Sequence, residues 1–587
     1  MCSNDIIKTK IVCTLGPSTD DEAVLESMIK AGMNVARLNF SHGSYEDHKK
    51  RAQAVRRISD KLGIPVALLL DTKGPDMRLG KISGGMAELT AGDPFVLTTT
   101  DMEGNSNKAQ VLYPQLPDKL TAGNTILIDD GLVQLQVDRI SGSEIYCTVI
   151  VGGKISNNKS VNVPAVKLDI PFLREKDIAD ILFGIENDFD FIAASFTRDA
   201  ADILSIKRIL ENQNADMRII AKIENFEGID NIDEILKVSD GVMVARGDLG
   251  VEIPFEEIPA IQKTIIKKVM YAGKPVITAT QMLESMISNP RPTRAEITDV
   301  ANAIYDGTSA IMLSGETAVG HYPVEAVSTM VRIARKTEQD INFKKRFESM
   351  ESPQLANVTN AISHATCMTA HDLGASAIIT LTITGTTARI ISRYRPSCPI
   401  VGCTSRHKTI RFMCLSWGVI PVYLENMEDS DELFESAVDK AVETGIVKNG
   451  EMVVITAGLP LGIQGATNIV KVNIVGHILI TAKGITQTGV SSAVCVCKSP
   501  EDAFRHFSDG DILVIHDTTN ELLPLIKRAS GLVIEASGST SHGAVVGLTL
   551  DKPVIYGAAN ATDILKSGSI VTLDPSRGVI YSGTVKI

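Results

Sequence analysis

The sequence predicts an α/β protein whose largest part is a closed (β/α)8 barrel. Short apolar runs alternate with longer amphipathic segments from Thr9 onward, and eight such runs precede residue 340, with one long interruption after the third. Continuous apolar runs separated by helices are typical of parallel strands covered on both faces. Eight βα units over this length fit a barrel better than an open sheet.

The predicted elements follow in order along the chain. Strands are expected at residues 10–16, 34–40 and 65–72, with helices at 20–31 and 45–61 between them. From residue 76 to 167 the sequence alternates apolar and polar residues, has many glycine turns and lacks a good helix, which indicates an all-β insertion. Five further strands are expected at 191–196, 218–224, 241–247, 275–280 and 309–315.

The chain therefore divides into five predicted segments. These are a first part of the TIM barrel (1–75), an all-β lid (76–168), the second part of the barrel (169–340), an α/β domain of regulatory type (341–474) and an extra C-terminal unit (475–587). A length of 587 residues suits three to five domains.

Composition excludes several classes of function. A net charge of −12, one tryptophan and 4% aromatic residues argue against binding of nucleic acid, which needs a basic footprint. The first ten residues are polar and no apolar run reaches the length needed to span a bilayer, so no membrane contact is expected. Scattered cysteines without metal-ligand spacing indicate reduced thiols and a cytoplasmic protein.

Polar residues follow the apolar part of nearly every barrel strand, where barrel enzymes carry their active sites. One strand ending in a charge is usually the chain reaching solvent, but a whole rim of them predicts catalysis. The residues are Arg37, Asn39, Ser41, Asp71, Thr72, Lys73, Ser195, Lys222, Glu224, Arg246, Asp248, Thr280, Ser314 and Glu316.

The residue types at this rim suit phosphoryl transfer. Glu224 and Asp248 end adjacent strands, so their carboxylates can converge on one divalent cation such as Mg²⁺. Arg37, Lys222 and Arg78 would neutralise a charged phosphoryl group. The turn containing Gly247 would offer backbone N–H groups to a substrate carboxylate. The alternative is that Glu224 and Asp248 form surface ion pairs with Lys222 and Arg246.

Seven segments between about residues 8 and 474 resemble those of one known family. They are RLNFSHG at 37–43, LDTKGP at 70–75, AKIEN at 221–225, MVARGDLGVEIP at 243–254, TATQMLESMI at 278–287, PRPTRAE at 290–296 and IMLSGETAVGHYP at 311–323. The family they resemble is pyruvate kinase, and the resemblance implies transfer of phosphate from phosphoenolpyruvate to ADP, giving pyruvate and ATP, by a homotetramer.

The resemblance also implies a role for each matching position. Catalysis would use Lys222, Arg37, Thr280, Ser314 and Glu316, the last two through a water that protonates the enolate. Substrate would contact Arg37, Lys222, Gly247, Asp248 and Thr280, and nucleotide would contact Asn39, His42, Arg78 and Lys159, the last from the lid. Mg²⁺ or Mn²⁺ would bind Glu224 and Asp248, and K⁺ would bind Asn39, Ser41, Asp71 and Thr72.

One motif departs from the family pattern. The usual GPE(I/V)R appears here as GPDMR, with Asp76 in place of glutamate. In the family, glutamate at this position accompanies K⁺ dependence and lysine accompanies independence. Because aspartate keeps the negative charge, the sequence predicts K⁺ dependence.

The α/β domain carries a threonine- and glycine-rich turn before a predicted helix. Its hydroxyl and N–H groups could bind the phosphate of an allosteric effector, or the turn could be an ordinary helix cap. The family uses this loop for sugar-phosphate activators, which favours an effector site. The residues are Thr382, Thr384, Gly385, Thr386 and Thr387.

The C-terminal unit resembles the swivelling phosphohistidine domain of PEP-utilising phosphotransferases. The carried residue would be His542, which follows a Gly/Ser/Thr turn. The favoured alternative is that His542 is a helix-start residue in a retained but inactive domain, because phosphoryl transfer to ADP needs no phosphohistidine.

Two rival functions remain open at the level of sequence. One is PEP-dependent histidine phosphotransfer through His542. The other is a metabolite-binding regulatory protein on an inactive kinase fold, which the presence of Arg37, Lys222, Glu224 and Asp248 disfavours.

Overall fold

The computed structural model describes residues 6–164, 166–350, 357–425, 427, 429–458, 467–476 and 478–585. Tertiary contacts divide the chain into two compact units. One unit comprises Asp5–Asn360 and Thr382–Glu425, and the other comprises Met1–Asn4, Ala361–Leu381 and Asn426–Ile587. In the described residues, no helix combines the length and apolar character that a membrane crossing requires.

Eight parallel strands close into a barrel, which confirms the predicted fold. Neighbours in the barrel are neighbours in sequence, and the first strand pairs with the eighth through Lys10↔Ala310 and Ile11↔Ile311. Nearly every strand residue is buried, which explains the apolar runs in the sequence. The strands are Lys10–Thr14, Val35–Asn39, Ala67–Asp71, Phe191–Ala194, Arg218–Ile223, Gly241–Ala245, Val276–Ala279 and Ala310–Leu313.

Helices surround the barrel and bury their apolar faces against it. Short polar side chains begin several of them: Ser44 accepts from the N–H of Asp47, and Thr293 accepts from that of Glu296. The α-helices are Glu22–Ala31, Tyr45–Leu62, Glu175–Glu186, Ala200–Asn212, Phe226–Asp230, Ile232–Val238, Arg246–Glu252, Ile258–Tyr271, Arg294–Asp306, Gly315–Ala318, Pro323–Asp340 and Phe343–Glu348. Short 3₁₀ turns lie at Pro17–Thr19, Phe255–Glu257 and Glu284–Ile287.

The insertion after the third strand is a β domain, as predicted. A six-stranded, mainly antiparallel sheet buries alternate residues such as Val133, Leu135 and Val137, and a two-stranded sheet lies beside it. One helical turn, Leu116–Lys119, and a 3₁₀ turn, Ser83–Gly85, interrupt the strands. The strands are Met86–Leu89, Pro94–Thr98, Lys108–Gln110, Thr125–Ile128, Val133–Ser141, Glu144–Val151, Gly153–Ser156 and Val161–Asn162.

The segment Thr382–Glu425 packs under the amino-terminal ends of the barrel strands. It contains the helices Thr386–Arg393 and His407–Met413 and the parallel strands Ile400–Thr404 and Val419–Tyr423. Phe412 and Leu415 join the residues that fill the barrel interior. Arg411 donates to the buried carboxylate of Asp190 at 2.7 Å. The segment therefore belongs to the same packed body as the barrel.

The other unit contains two sheets. The strand Ala377–Leu381 pairs in parallel with Met452–Gly458, which pairs antiparallel with Thr467–Ile474. The helices Val358–Leu373 and Ser430–Glu443 belong to this α/β region. The C-terminal part is an eight-stranded mixed sheet. Its strands are Ile478–Thr481, Lys483–Gly484, Val490–Val496, Ile512–Ile515, Gly531–Ile534, Val554–Tyr556, Ile570–Asp574 and Val579–Ser582.

Short helices cover the C-terminal sheet. They are Pro500–His506, Leu523–Arg528, His542–Thr549 and Ala561–Ile564, with a 3₁₀ turn at Asn520–Leu522. Across the described residues of the whole chain, eight cysteines are buried and none is placed in a disulfide.

Candidate active site

A polar cavity of about 380 Å³ lies between the carboxyl-terminal rim of the barrel and the lid. It brings together predicted residues from strands two to six with one from the lid. The predicted residues that line it are Arg37, Asn39, Ser41, His42, Thr72, Lys73, Arg78, Ser195, Lys222, Glu224 and Asp248.

Asp71 holds the two cationic groups of the cavity in place. Its Oδ2 accepts from Arg37 Nε at 2.6 Å, and its Oδ1 accepts from Lys222 Nζ at 3.1 Å. Burial opposes ionisation of Asp71, but the charges of Lys222 and Arg37 hold its pKa below its ordinary value. Thr14 accepts from Arg37 NH1 at 2.8 Å, and Ser195 Oγ accepts from Lys222 at 2.7 Å. The guanidinium and the ammonium are therefore fixed before substrate arrives.

Lys222 remains charged although it is buried. Burial acts to lower the pKa of Lys222, but the carboxylates of Asp71 and Glu224 raise it above its ordinary value. A buried, permanently protonated ammonium at the rim is suited to stabilise negative charge that develops on a substrate.

Glu224 and Asp248, the predicted ligands of a divalent metal ion, both line the cavity. Glu224 Oε2 accepts from the backbone N–H of Phe196 at 2.6 Å, while Oε1 lies 2.9 Å from Lys222 Nζ without hydrogen-bond alignment. Burial raises the pKa of Glu224, and the neighbouring charge of Asp248 adds to the increase. Asp248 has no ion pair among the described residues, since Arg246 pairs with Asp299 at 2.7 Å. Of the two ion pairs in the alternative interpretation, Lys222–Glu224 is present but buried rather than on the surface, and Arg246–Asp248 is not formed.

This donor set fits a divalent cation. A buried carboxylate oxygen without a hydrogen bond and a nearby unpaired carboxylate are the hard oxygen ligands that Mg²⁺ or Mn²⁺ binds. In the described part of the chain no three acidic, histidine or cysteine side chains cluster around a metal position. Substrate oxygens and water would complete the coordination of such an ion.

Thr280 ends the seventh strand in a strained conformation. Its φ is +65°, which is unusual for a β-branched residue and is a kind of strain found at functional sites. Its hydroxyl accepts from the N–H of Gly247 at 2.9 Å and donates to the carbonyl of Ala279 at 2.7 Å. The Gly247 N–H, which the sequence assigned to a substrate carboxylate, is thus already bonded to Thr280.

Ser314 and Glu316 lie together after the eighth strand. The fully buried carboxylate of Glu316 accepts from the N–H groups of Leu283 at 3.0 Å and Ser314 at 2.7 Å. The hydroxyl oxygen of Ser314 is buried and has no hydrogen-bond partner in the described structure. Glu316 therefore positions the loops after strands seven and eight, and among the described residues neither Ser314 nor Glu316 lines the cavity.

The four predicted K⁺ ligands lie at the ends of strands two and three or just after them. Asn39 Oδ1 accepts from the N–H of Ser41 at 3.1 Å, and Thr72 Oγ1 accepts from the N–H of Ser195 at 3.2 Å. Asp71, as described above, is shared with Arg37 and Lys222. A carboxylate, an amide oxygen and two hydroxyl groups match the oxygen ligands that a hard monovalent cation prefers.

A second cavity of about 630 Å³ adjoins the first beneath the lid. His42, Arg78 and Asp76 line both cavities, which places them where a nucleotide could enter. Asp76 accepts from Arg78 Nε at 2.5 Å and from Arg174 NH1 at 3.0 Å. Burial opposes ionisation of Asp76, but the hydrogen bond from Arg78 holds its pKa below its ordinary value.

The structure does not bring Lys159 to either of these cavities. Its Nζ donates to Asp129 Oδ1 within the lid at 2.7 Å, and among the described residues it lines neither cavity wall.

Sequence reasoning missed two supporting groups, Thr14 and the N–H of Phe196. Thr14 ends the first strand and could have been found by its place at the rim, whereas a backbone N–H gives no signal in a sequence.

The predicted effector loop is a turn that starts a helix. Gly385, with a φ of +79°, precedes the helix Thr386–Arg393, and its N–H donates to Thr382 Oγ1 at 3.0 Å. The hydroxyl oxygens of Thr384 and Thr386 lie 2.9 Å apart. These contacts are those of a preformed turn, and both interpretations of the loop remain compatible with them.

His542 begins the helix His542–Thr549, as predicted, and both of its ring nitrogens are hydrogen-bonded. Nε2 lies 2.9 Å from Asn520 Oδ1 and Nδ1 lies 2.8 Å from Thr518 Oγ1. Because an amide oxygen only accepts, Nε2 carries the proton and Nδ1 accepts from the threonine hydroxyl. In this arrangement neither nitrogen presents a free lone pair to a phosphoryl donor.

Taken together, the barrel, its polar rim and the adjoining β domain define a phosphotransferase. Three family descriptions match the chain: the pyruvate kinase barrel domain at residues 6–327, the pyruvate kinase alpha/beta domain at 360–473, and the PEP-utilising enzyme mobile domain at 507–578. The chain belongs to the pyruvate kinase family.

Curated relatives and solved structures agree with this assignment. The pyruvate kinases of Sporosarcina psychrophila and Geobacillus stearothermophilus are 47% and 48% identical over 583 residues, covering 99% of this chain and 100% and 99% of the relatives. A crystal structure of a pyruvate kinase from Cryptosporidium parvum is 40% identical, with a TM-score of 0.77, and the match covers 80% of this chain and 97% of that chain. The predicted family, fold and enzyme class are thereby confirmed.

Proposed function

We propose that the rim residues described above carry out transfer of the phosphoryl group of phosphoenolpyruvate to ADP, giving pyruvate and ATP. The observation that carries this assignment is the pair of fixed cations, Arg37 and Lys222, on either side of Asp71. They lie in a cavity that also contains two carboxylates and that opens toward the lid.

The proposed roles follow from position. Arg37 binds the phosphoryl oxygens, and Lys222 stabilises the charge of the transferring group and of the enolate that remains. These groups are preorganised, so little reorganisation accompanies the reaction. A divalent ion held by Glu224 and Asp248 would supply Lewis-acid neutralisation of the same oxygens. His42 and Arg78 contact the nucleotide from the second cavity, and lid closure excludes water.

Proton delivery is assigned to the loops after strands seven and eight. A water held by the Ser314 hydroxyl protonates the enolate carbon and regains its proton from solvent, and Glu316 positions Ser314 through the backbone N–H of that serine. Thr280 lines the face where the proton arrives, and its hydroxyl is held by Gly247 and Ala279.

Members of this family generally need a divalent metal ion and K⁺. We assign the monovalent ion to Asn39, Ser41, Asp71 and Thr72. Regulation by a phosphorylated metabolite at the Thr382–Thr387 turn, a homotetrameric assembly and a cytoplasmic location complete the proposal. The buried cysteines of the described residues, none of them in a disulfide, suit a reducing compartment. We assign the C-terminal unit no phosphoryl-carrier role, because both nitrogens of His542 are engaged.

The test is a coupled pyruvate-formation assay on Lys222→Met, with Lys49→Met as the matched control at an exposed position. Removing one preorganised donor should lower kcat by about 10²–10³ or more, while Lys49→Met stays near wild type. Turnover of Lys222→Met within a few-fold of wild type, with the fold intact by circular dichroism, would refute the assigned role.

A further inference from the structure

A second group of cationic side chains lies at the other end of the barrel, where the segment Thr382–Glu425 packs. Lys274 and Ser309 come just before the seventh and eighth strands, and Arg389, Arg393 and Arg395 come from the helix Thr386–Arg393 and its end. All five line one small enclosed cavity of about 10 Å³. No acidic residue lines this cavity among the residues that the structure describes.

The cations of this cluster bond to neutral groups. Lys274 Nζ donates to the carbonyls of Leu236 and of Ser239, the latter at 2.5 Å. Arg393 donates to the amide oxygen of Asn360 at 3.2 Å and to the hydroxyl of Tyr394 at 2.6 Å.

Arg395 is bound in the same way. It donates to the carbonyl of Gly307 at 2.8 Å and to the hydroxyl of Ser309 at 3.1 Å. Within the described structure, Lys274, Arg389, Arg393 and Arg395 form no ion pair with a carboxylate.

The carboxylates that act on this cluster have other partners. Asp240 lies near Lys274 and Arg389 but pairs with Arg218 at 3.5 Å. The charge of Glu338 acts to raise the pKa of Arg395, but the Glu338 carboxylate accepts hydrogen bonds from the backbone N–H groups of Lys8 and Thr9. Burial lowers the pKa of Lys274 to about 8 and lowers that of Arg395 as well.

Buried charge without a counter-charge is costly, and it is normally paired. Here two donors also lack acceptors: the Nε groups of Arg389 and Arg395 are buried and have no hydrogen-bond partner in the described structure. Arg395 is 3% exposed and has a φ of +50°, so its guanidinium is held in the cavity wall at some backbone cost. The Ser309 hydroxyl accepts from Arg395, which leaves its own proton free to donate.

The size of the cavity selects the class of ligand. About 10 Å³ is near the smallest volume that holds one water-sized occupant. A phosphate or carboxylate is several times larger than this space, whereas chloride is only slightly larger than a water and needs only a small outward movement of the surrounding side chains. We propose that this cavity is a halide site, occupied by chloride, in which the Nε groups of Arg389 and Arg395 and the Ser309 hydroxyl bind the ion.

Such an ion would connect the barrel to the segment that carries the Thr382–Thr387 turn. Arg389 lines the halide cavity and also a second cavity of about 40 Å³ beside Thr384, Gly385 and Thr386. Chloride binding therefore stabilises the contact between the barrel strands and this turn, independently of any effector.

The test compares thermal unfolding of the full-length protein in potassium chloride, potassium bromide and potassium gluconate at equal ionic strength and equal K⁺. A ligand that binds only the folded state raises Tm with its concentration. We expect a higher Tm in chloride and bromide than in gluconate for wild type. Arg389→Met should lose most of that difference, and Arg208→Met, at an exposed position on the barrel surface, should retain it.

Crystals grown in potassium bromide give a second measurement that does not depend on variant stability. An anomalous bromide peak between Arg389 and Arg395, together with the halide effect on Tm, would support the site. Equal Tm in chloride and gluconate, or density of an ordinary water in the cavity, would overturn it. A peak in the crystal without any halide effect in solution would identify an adventitious ion only, which also overturns the proposal.

Discussion

Lys10 offers a quantitative test of how the barrel and the segment beneath it pack. Its side chain is buried, and its Nζ donates to the carbonyl of Val419 at 2.7 Å. Burial lowers the pKa of Lys10 from 10.5 to about 8, and the nearby Cys414 and Glu338 offset only part of the shift. Folding therefore places Lys10 where its charged form is less favourable than in the unfolded chain.

The magnitude follows from this shift. A pKa of about 8 in the folded state against 10.5 when unfolded corresponds to a cost of about 3 kcal/mol at pH 7. The cost is fully present below pH 8 and declines as pH rises toward 10.5, because the folded state then loses its proton first. At pH 9.5 about 1.4 kcal/mol remains, so the cost falls by about 2 kcal/mol between these two pH values.

The perturbation is Lys10→Met, which replaces the lysine with an unbranched side chain of similar length and removes the charge. It also leaves the Val419 carbonyl without its donor, at a cost of about 1–3 kcal/mol that does not vary with pH. The net change in stability at pH 7 is therefore small, but its pH dependence is not. The stability of the variant relative to wild type should fall by about 2 kcal/mol between pH 7 and pH 9.5.

The assay is calorimetric unfolding of wild type, Lys10→Met and the exposed control Lys49→Met at both pH values. Lys49→Met should track wild type. The quantity to compare is the Tm of Lys10→Met minus the Tm of wild type. The reasoning is refuted if this quantity is the same at pH 7 and pH 9.5, or if it is higher at pH 9.5.

Three further predictions concern the sites. Asp76 stays negative beside Arg78 and Arg174, so Mg²⁺-dependent turnover should increase several-fold when K⁺ is added, and Asp76→Lys should remove that increase. Turnover measured in potassium and in tetramethylammonium salts tests both expectations. His542→Ala should leave kcat within about two-fold of wild type, and a collapse in rate with an unchanged circular dichroism spectrum would contradict the inactive assignment. Thr384→Val should weaken activation by sugar phosphates at least several-fold without changing the unactivated rate, and equal activation constants would exclude the turn as their site.

Strand positions and rim residues followed from the sequence, because a buried parallel strand is an uninterrupted apolar run and the next residue must lie at the rim. What could not be predicted was how the rim side chains divide their hydrogen bonds. Asp71, assigned only to K⁺, also holds Arg37 and Lys222, and the N–H of Gly247 is bonded to Thr280. Such pairings depend on strand register and on local φ angles, which sequence patterns do not contain.

The burial of Arg393 and Arg395 escaped prediction for a related reason. Arg393 and Arg395 stand at the end of a helix, where cations are ordinarily exposed and favour the helix dipole. Only the packing of Thr382–Glu425 on the barrel buries them. Lys159 could not be placed from the sequence either. Its position in the lid does not decide whether its side chain contacts the cavity or another lid residue, and in the structure it bonds to Asp129.

The buried cysteines give this chain a set of built-in reporters of local unfolding. Cys13 lies in the barrel, Cys147 in the lid, Cys403 beneath the barrel and Cys497 in the C-terminal unit, and burial raises the thiol pKa of each, to about 12 for the last three. A thiol reagent needs the thiolate, so it reacts at each site only when that region opens. Mass spectrometry of alkylated peptides would thus rank the opening free energies of four parts of the enzyme without any engineered label.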